Sequence, residues 1–504
     1  MLAASGFVKE FFILLLIAVL VQPWRHSVSQ DDATYAFQAL SFSRADFVLH
    51  PDTMAFVLPQ SLLGAVVSQF GSPLVACTLL TWLLFGVMVV LTKRFAQLSL
   101  TLVFSLFAVP FWIQYGASFL YEIYVAVFLL LLTAQWRKDG RFLFPLAFLL
   151  TVQMQLFVIV PLFFGVTSFF QKRYRAGFAL LLGALVGIGV YGLWPHSLMQ
   201  VASASYLFHQ ERSWKEMFFC GFQLLLGFGI FLIPLTQWSV RRFGGSLVVL
   251  CGCWYAIWNS SLPVLSAGVF FSDYLPRSLA ALLIAGGVLG WCGVSDLLPK
   301  KWSLMHAPFV AVGCVLLAAY AFRGVNDVRY TMLLVPLVIG VMRPGVRLGS
   351  HLGFLIPSMA LSIFLNRYQL DTVQARWDLS AQLEQSGADI KSISAGYGHD
   401  HFFLESDCIV AASKKVGSLQ SPEFATRIWR RIPRVYEDGW VPKYVIKPYQ
   451  LFGVNISLAV HQSAGQNQAP FRIYHYRSLG LPHALAVFKN EYPQLAWCFL
   501  EGKE

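Results

Sequence analysis

Residues 142–170 read FLFPLAFLLTVQMQLFVIVPLFFGVTSFF, an apolar run of 29 residues with a basic pair on each flank, Arg137-Lys138 before it and Lys172-Arg173 after it. One transmembrane helix needs about 20 residues. A run that crossed once would therefore leave the two basic pairs on opposite sides of a bilayer. Lys and Arg in short loops mark the cytoplasmic side, so both pairs belong together. Two short helices turning near Gln153 and Gln155 satisfy that requirement. Their polar turn then lies at the opposite surface or in a protein-lined cavity, because lipid offers no partner to open backbone groups. This reading sets the parity of everything downstream.

Working outward, the 504 residues are 57% hydrophobic and only 12% charged, with a mean hydropathy of +0.62. A soluble domain carries about a quarter charged residues. So little polar surface cannot hide so apolar a chain from water, and the class is a polytopic α-helical membrane protein. Apolar runs punctuated by basic loops fall at 7–23, 73–92, 98–113, 120–135, 142–152, 155–170, 176–194, 217–236, 246–262, 276–293, 304–322, 329–342 and 346–365. That is about 13 transmembrane helices. The net charge of +12 sits largely in the loops between them, which assigns it to topology and not to a nucleic-acid partner.

With the N terminus inside, the inner loops hold 15 Lys and Arg and the outer loops 7. Acids run the other way, with 3 inside and 9 outside. Carboxylates contribute little to orientation, so their gathering on the outer face points to function. After Asn366 the composition shifts: residues 367–504 carry 15 basic and 13 acidic side chains and alternating stretches such as FRIYHYR. The chain therefore divides into a transmembrane domain, 1–366, and an outer-face soluble α/β domain, 367–504. Of eight cysteines, only Cys408 and Cys498 fall in this tail, where a disulfide between them is one reading and two free thiols the other.

Four outer-face groups hold chemistry-bearing residues. QDDATYAFQAL, residues 30–40, places Asp31 and Asp32 before an aromatic helix with Tyr35 on it, as at an interface. Two carboxylates at a membrane surface suit a general base or a hard-cation pair; helix capping accounts for one of them equally well. Glu122, in YGASFLYEIYV, stands at the edge of an apolar run; it is either a functional carboxylate or a solvated acid favoured by the helix dipole. His209, Arg212 and Lys215 beside Trp214 could hold a lipid phosphate or simply anchor the interface. Arg277 in FFSDYLPRSL, and Arg329 with Tyr330 in NDVRYTMLLVPL, could neutralise a phosphate or pair locally with Asp273 and Asp327. In the tail, His399-Asp400-His401 has the spacing of a zinc pair but no third ligand in view, so a turn is the simpler reading.

In this layout the chain resembles the GT-C superfamily of membrane glycosyltransferases, which use polyprenyl-phosphate sugars. QDDATYAFQAL is similar to the superfamily's first-loop acidic motif, and YGASFLYEIYV to its second. The RKDGR…QKRYR segment resembles its short helical hairpin, with Gln153 and Gln155 where a Lys is usual, and NDVRYTMLLVPL its late RYxxPxxP element, only partly kept. The tail resembles the outer domain of the aminoarabinose and oligosaccharyl transferases. The resemblance implies an inverting transfer from a polyprenyl-phosphate-linked sugar donor to a glycan, lipid or protein acceptor. Asp31 or Asp32 would be the base, and Glu122 would orient the acceptor or a metal. Tyr35, His209, Arg212, Lys215, Arg277, Arg329 and Tyr330 would bind substrate. A divalent cation, Mg or Mn, would sit on Asp31 and Asp32 if one is used. It further implies a bacterial cell inner membrane location with a periplasmic C-terminal domain. A lipid-linked saccharide flippase would instead want charges in mid-membrane, and a non-catalytic assembly subunit would tolerate loss of the outer acids.

Overall fold

The computed structural model describes residues 2–25, 32–45, 55–194, 214–235, 286–291, 301–322, 328–342, 352–395, 442–451, 454–455 and 472–489. It also describes the isolated positions 47, 49, 244, 284 and 493 and the pair 251–252.

The 142–170 run forms the expected hairpin. Helix α8 (Leu143–Gln153) rises to a 3-10 turn at Gln155–Val158, and α9 (Ile159–Phe170) returns. Both flanks meet at the base: Arg173 forms an ion pair with Asp139 and donates to the Trp136 carbonyl, while Trp136 Nε1 donates to Ser168 Oγ at 2.8 Å. Helix α10 (Tyr174–Leu193) runs back along the hairpin on small residues. Gly177 abuts Phe169 and Gly165, Gly183 abuts Phe144 and Ala147, and Gly187 abuts Thr151. A Cβ at Gly183 would lie 2.5 Å from the Phe144 carbonyl oxygen, so only glycine permits this approach.

The remaining helices surround α7 (Tyr121–Arg137), whose side chains are buried on nearly every face. A helix apolar all round belongs at a bundle centre. Against it pack α4 (Pro73–Ala96) and α6 (Pro110–Gly116) as well as α8. Pro110 separates α6 from α5 (Leu100–Phe107), since a proline ring cannot continue the preceding helix. Helix α1 (Leu2–Val21) reaches α4 through an ion pair between Lys93 and Glu10. Before α4 lie α2 (Asp32–Ser43) and α3 (Leu58–Val67), which pack on one another. The expected aromatic helix at 30–40 is thus present as α2. It packs into protein, with Thr34, Tyr35, Gln38, Ala39 and Phe42 buried. Helix α3 has no counterpart among the expected elements.

Three helical stretches are long and apolar enough to cross a membrane: Pro73–Ala96, Tyr174–Leu193 and Trp214–Pro234. Shorter apolar helices cover Leu143–Gln153, Gln155–Phe170, Ala307–Phe322 and Tyr330–Val341. The expectation of 13 crossings is therefore met only in part. The 98–113 run is broken at Pro110, and the 329–342 run begins as a 3-10 segment, Val328–Leu334. The 246–262 run lies almost wholly outside the described residues, as does much of 276–293. Large apolar side chains stand exposed along α4 and α10, among them Leu83 at 64% and Phe178 at 66%, as a lipid-facing surface requires.

Later helices are α11 (Trp214–Phe228), α12 (Ala307–Phe322), α13 (Val335–Val341) and α14 (Leu352–Gln385). Helix α14 runs unbroken through the composition shift at 366, which is therefore no linker. Its first half packs on the helical core through residues such as Met359 and Ile363. Its second half gives Ala375, Leu379 and Leu383 to a separate cluster with Ile393, Ile446, Leu485 and Val487. That cluster lies under a five-stranded sheet of β1 (Ile393–Ser394), β2 (Tyr444–Leu451), β3 (Val454–Asn455), β4 (Arg472–Ser478) and β5 (Leu481–Lys489). The strand order is β1-β2-β5-β4, with β3 pairing β2 and β1 parallel to β2. His399–His401, Cys408 and Cys498 lie outside the described residues.

Candidate functional site

Helix α7 carries Glu122 in its first turn and Arg137 in its last. At 1.5 Å per residue these groups stand about 22 Å apart. The Arg137 end also gathers Glu10, Lys93, Asp139 and Arg173, and Arg137 itself donates to the Gly340 carbonyl.

At the other end, Glu122 is 1% exposed and directly follows Tyr121, around which other tyrosines gather. Tyr35 of α2 meets Tyr121 of α7 edge-on, with centroids 6.2 Å apart at 90°. Tyr320, in the last turn of α12, lies 5.4 Å from Tyr330 by centroids. Tyr121 interacts electrostatically with Glu122, Tyr330, Tyr35 and Tyr320, which joins the two pairs into one cluster. Four separate elements thus gather phenols around Tyr121, the residue before the buried Glu122 carboxyl. Such a group can take a proton from a hydroxyl or hold a cation, and the phenols can donate to sugar or phosphate oxygens.

The hairpin tip braces this end. Gln153 Nε2 donates to Gln60 Oε1 at 3.0 Å, and the Gln60 amide N–H donates to Gln153 Oε1 at 3.2 Å. Gln60 Nε2 donates to the Phe119 carbonyl at 3.0 Å, three residues before Glu122. Gln155 Oε1 accepts from the Phe56 amide at 3.2 Å, and the Gln153 carbonyl from that of Val57 at 2.9 Å. Val57 takes φ 42°, a left-handed conformation that costs a β-branched residue roughly 1–2 kcal/mol. The polar turn is therefore buried in protein, one of the two settings expected for it. Gln38 of α2 completes the bracing by donating to Ser61 Oγ of α3 at 2.7 Å.

Of the residues singled out in the sequence, the structure brings together Tyr35, Glu122 and Tyr330. Asp32 opens α2 one turn before Tyr35, although its side chain, like that of Arg329, is outside the described set. Asp31, His209, Arg212 and Arg277 lie outside the described residues altogether. Lys215 is exposed on the first turn of α11, beside Trp214. Gly221, less than two turns further on, abuts Ala321 next to Tyr320, so Lys215 belongs to the tyrosine end but outside its buried part. Sequence reasoning missed Tyr121, Tyr320 and Gln60. The first adjoins Glu122 and could have been named with it, whereas the other two acquire meaning only through packing.

Among the described residues no three His, Cys, Asp or Glu side chains gather in a metal-binding group. No family model, no curated protein and no solved structure matches this chain.

Proposed function

We propose that the protein is a membrane-embedded inverting glycosyltransferase of the GT-C type. In this reading it moves a sugar from a polyprenyl-phosphate carrier to an acceptor hydroxyl at the outer face of the bacterial inner membrane, with residues 367–504 in the periplasm. The observation that carries the reading is the buried Glu122 carboxyl beside Tyr121, around which Tyr35, Tyr320 and Tyr330 gather, with Asp32 one turn of α2 before Tyr35.

In the reaction, the carboxylate of Asp31 or Asp32 takes the proton of the acceptor hydroxyl. The freed oxygen attacks the anomeric carbon on the face opposite the phosphate, and the carbon–oxygen bond to phosphate breaks. Polyprenyl phosphate leaves with that electron pair and needs no proton, so one base suffices. Glu122 holds the acceptor in line, and the tyrosine hydroxyls fix the sugar. Basic groups of the outer loops, namely His209, Arg212, Lys215, Arg277 and Arg329, are the candidates to balance the departing charge. The Asp31-Asp32 pair is also the hard-oxygen donor set that Mg or Mn takes, and an ion there would supply further charge stabilisation.

The test is a panel of polyprenyl-phosphate sugars offered to purified protein in lipid nanodiscs with candidate acceptors, reading free polyprenyl phosphate and the anomeric configuration of the product. Release with inversion from one donor is expected. Translocation of intact donors with no release from any of them would instead make the protein a flippase.

A further inference from the structure

The end of the bundle opposite the tyrosines holds a cleft of about 560 Å³. Two segments form it, 139–141 before the hairpin and 172–175, the turn after the hairpin with the first residues of α10, over a floor of Leu143, Ala176 and Ala179. Its size falls within the range of ordinary ligand sites, roughly 300–1,000 Å³. Four cations line it, Arg141, Lys172, Arg173 and Arg175, against one carboxylate, Asp139.

These cations divide by role. Arg173 is committed to structure: it pairs with Asp139, donates to the Trp136 carbonyl and lies 5.0 Å from the centroid of the Trp136 ring. By cross-linking the two segments it fixes the cleft's shape. Arg141, Lys172 and Arg175 are exposed around the mouth and, among the described residues, make no ion pair. A preference for basic residues in cytoplasmic loops accounts for their sign. It does not account for their convergence, from segments some 30 residues apart in sequence, on one pre-shaped recess.

We propose that this cleft binds the phosphate of an anionic membrane phospholipid. The apolar surroundings favour a lipid source over a soluble one. Phe142, just before α8, and Phe170, Tyr174 and Phe178 on the helices that follow are exposed by 48, 74, 57 and 66%, where acyl chains would lie while the headgroup meets the cations. The site is separate from the transferase reading and does not depend on it.

The test uses the full-length protein in detergent, titrated with phosphatidylglycerol or phosphatidylcholine and read by native mass spectrometry. Wild type is compared with the triple variant Arg141→Gln/Lys172→Gln/Arg175→Gln, which leaves Arg173 and Asp139 in place. Wild type should retain phosphatidylglycerol in preference to phosphatidylcholine, and the triple variant should lose that preference by fivefold or more with an unchanged lipid-free melting temperature. Millimolar inorganic phosphate or glycerophosphoglycerol should fail to displace the lipid. Equal retention by wild type and variant would overturn the proposal. So would displacement by either soluble phosphate at millimolar concentration, which would make the ligand a soluble phosphate compound. A separate double variant, Arg141→Lys/Arg175→Lys, keeps all three positive charges with Lys172 native, controls for fold and should retain the lipid.

Discussion

Gln60 and Gln153 exchange hydrogen bonds across the interface between α3 and the tip of the α8–α9 hairpin, and neither side chain has any exposed surface. The pair fastens the hairpin to the segment that leads to Glu122, because Gln60 also holds the Phe119 carbonyl. Replacing one glutamine strands buried groups of the other, at about 1–3 kcal/mol each, whereas replacing both removes the side-chain pair together and strands only the Phe119 carbonyl and the Gln60 backbone N–H. Gln60→Met and Gln153→Met should each lower the melting temperature in detergent, and the double variant should lose less than their sum. Strict additivity would show that the two act independently.

Glu122 is buried at the start of the central helix, and its amide analogue keeps its shape. Glu122→Gln should preserve expression and melting temperature while lowering turnover by about 10- to 100-fold, with a rise in acceptor KM as the sign of lost orientation. Unchanged kinetics would remove Glu122 from the site.

The glycines of α10 are not equivalent. Gly183→Ala would drive a Cβ against the Phe144 carbonyl and should destabilise by roughly 1–3 kcal/mol. Gly189 has open space around it, so Gly189→Ala should leave the melting temperature unchanged or slightly higher. Equal melting temperatures for the two variants would contradict the close hairpin packing.

His483 of β5 is buried between Tyr368 of α14 and Tyr476 of β4, with ring centroids 5.0 and 5.3 Å away. Burial lowers its pKa from the ordinary 6.5, only partly opposed by Asp371. The unfolded chain therefore binds a proton below pH 6.5 that the folded tail resists, so stability falls as pH drops through that range. The melting temperature of the tail should decline from pH 7.5 to pH 5, and His483→Gln should flatten the decline. An equally steep decline in the variant would place the effect elsewhere.

What was legible in the sequence follows local rules. The hairpin could be read because charge on its flanks constrains its ends, and the meeting of Asp139 with Arg173 shows that constraint satisfied. Helix α3 could not, since LPQSLLGAVV is short and begins from a left-handed Val57 whose N–H donates to the carbonyl of Gln153, nearly 100 positions away. The shift at 366 looked like a boundary because composition records burial, and α14 passes from the helical core to the sheet cluster without interruption. Tyr35, Glu122 and Tyr330 stood out as polar groups beside apolar runs, but their assembly with Tyr121 and Tyr320 is tertiary and left no mark in spacing.

The central claim is that a first-loop carboxylate takes the acceptor proton beside this cluster. Its most direct test is polyprenyl-phosphate release by the Asp31→Asn/Asp32→Asn variant, compared with wild type at matched expression and melting temperature. The account predicts a loss of 100-fold or more, the scale of a missing general base. Turnover equal to wild type would contradict it.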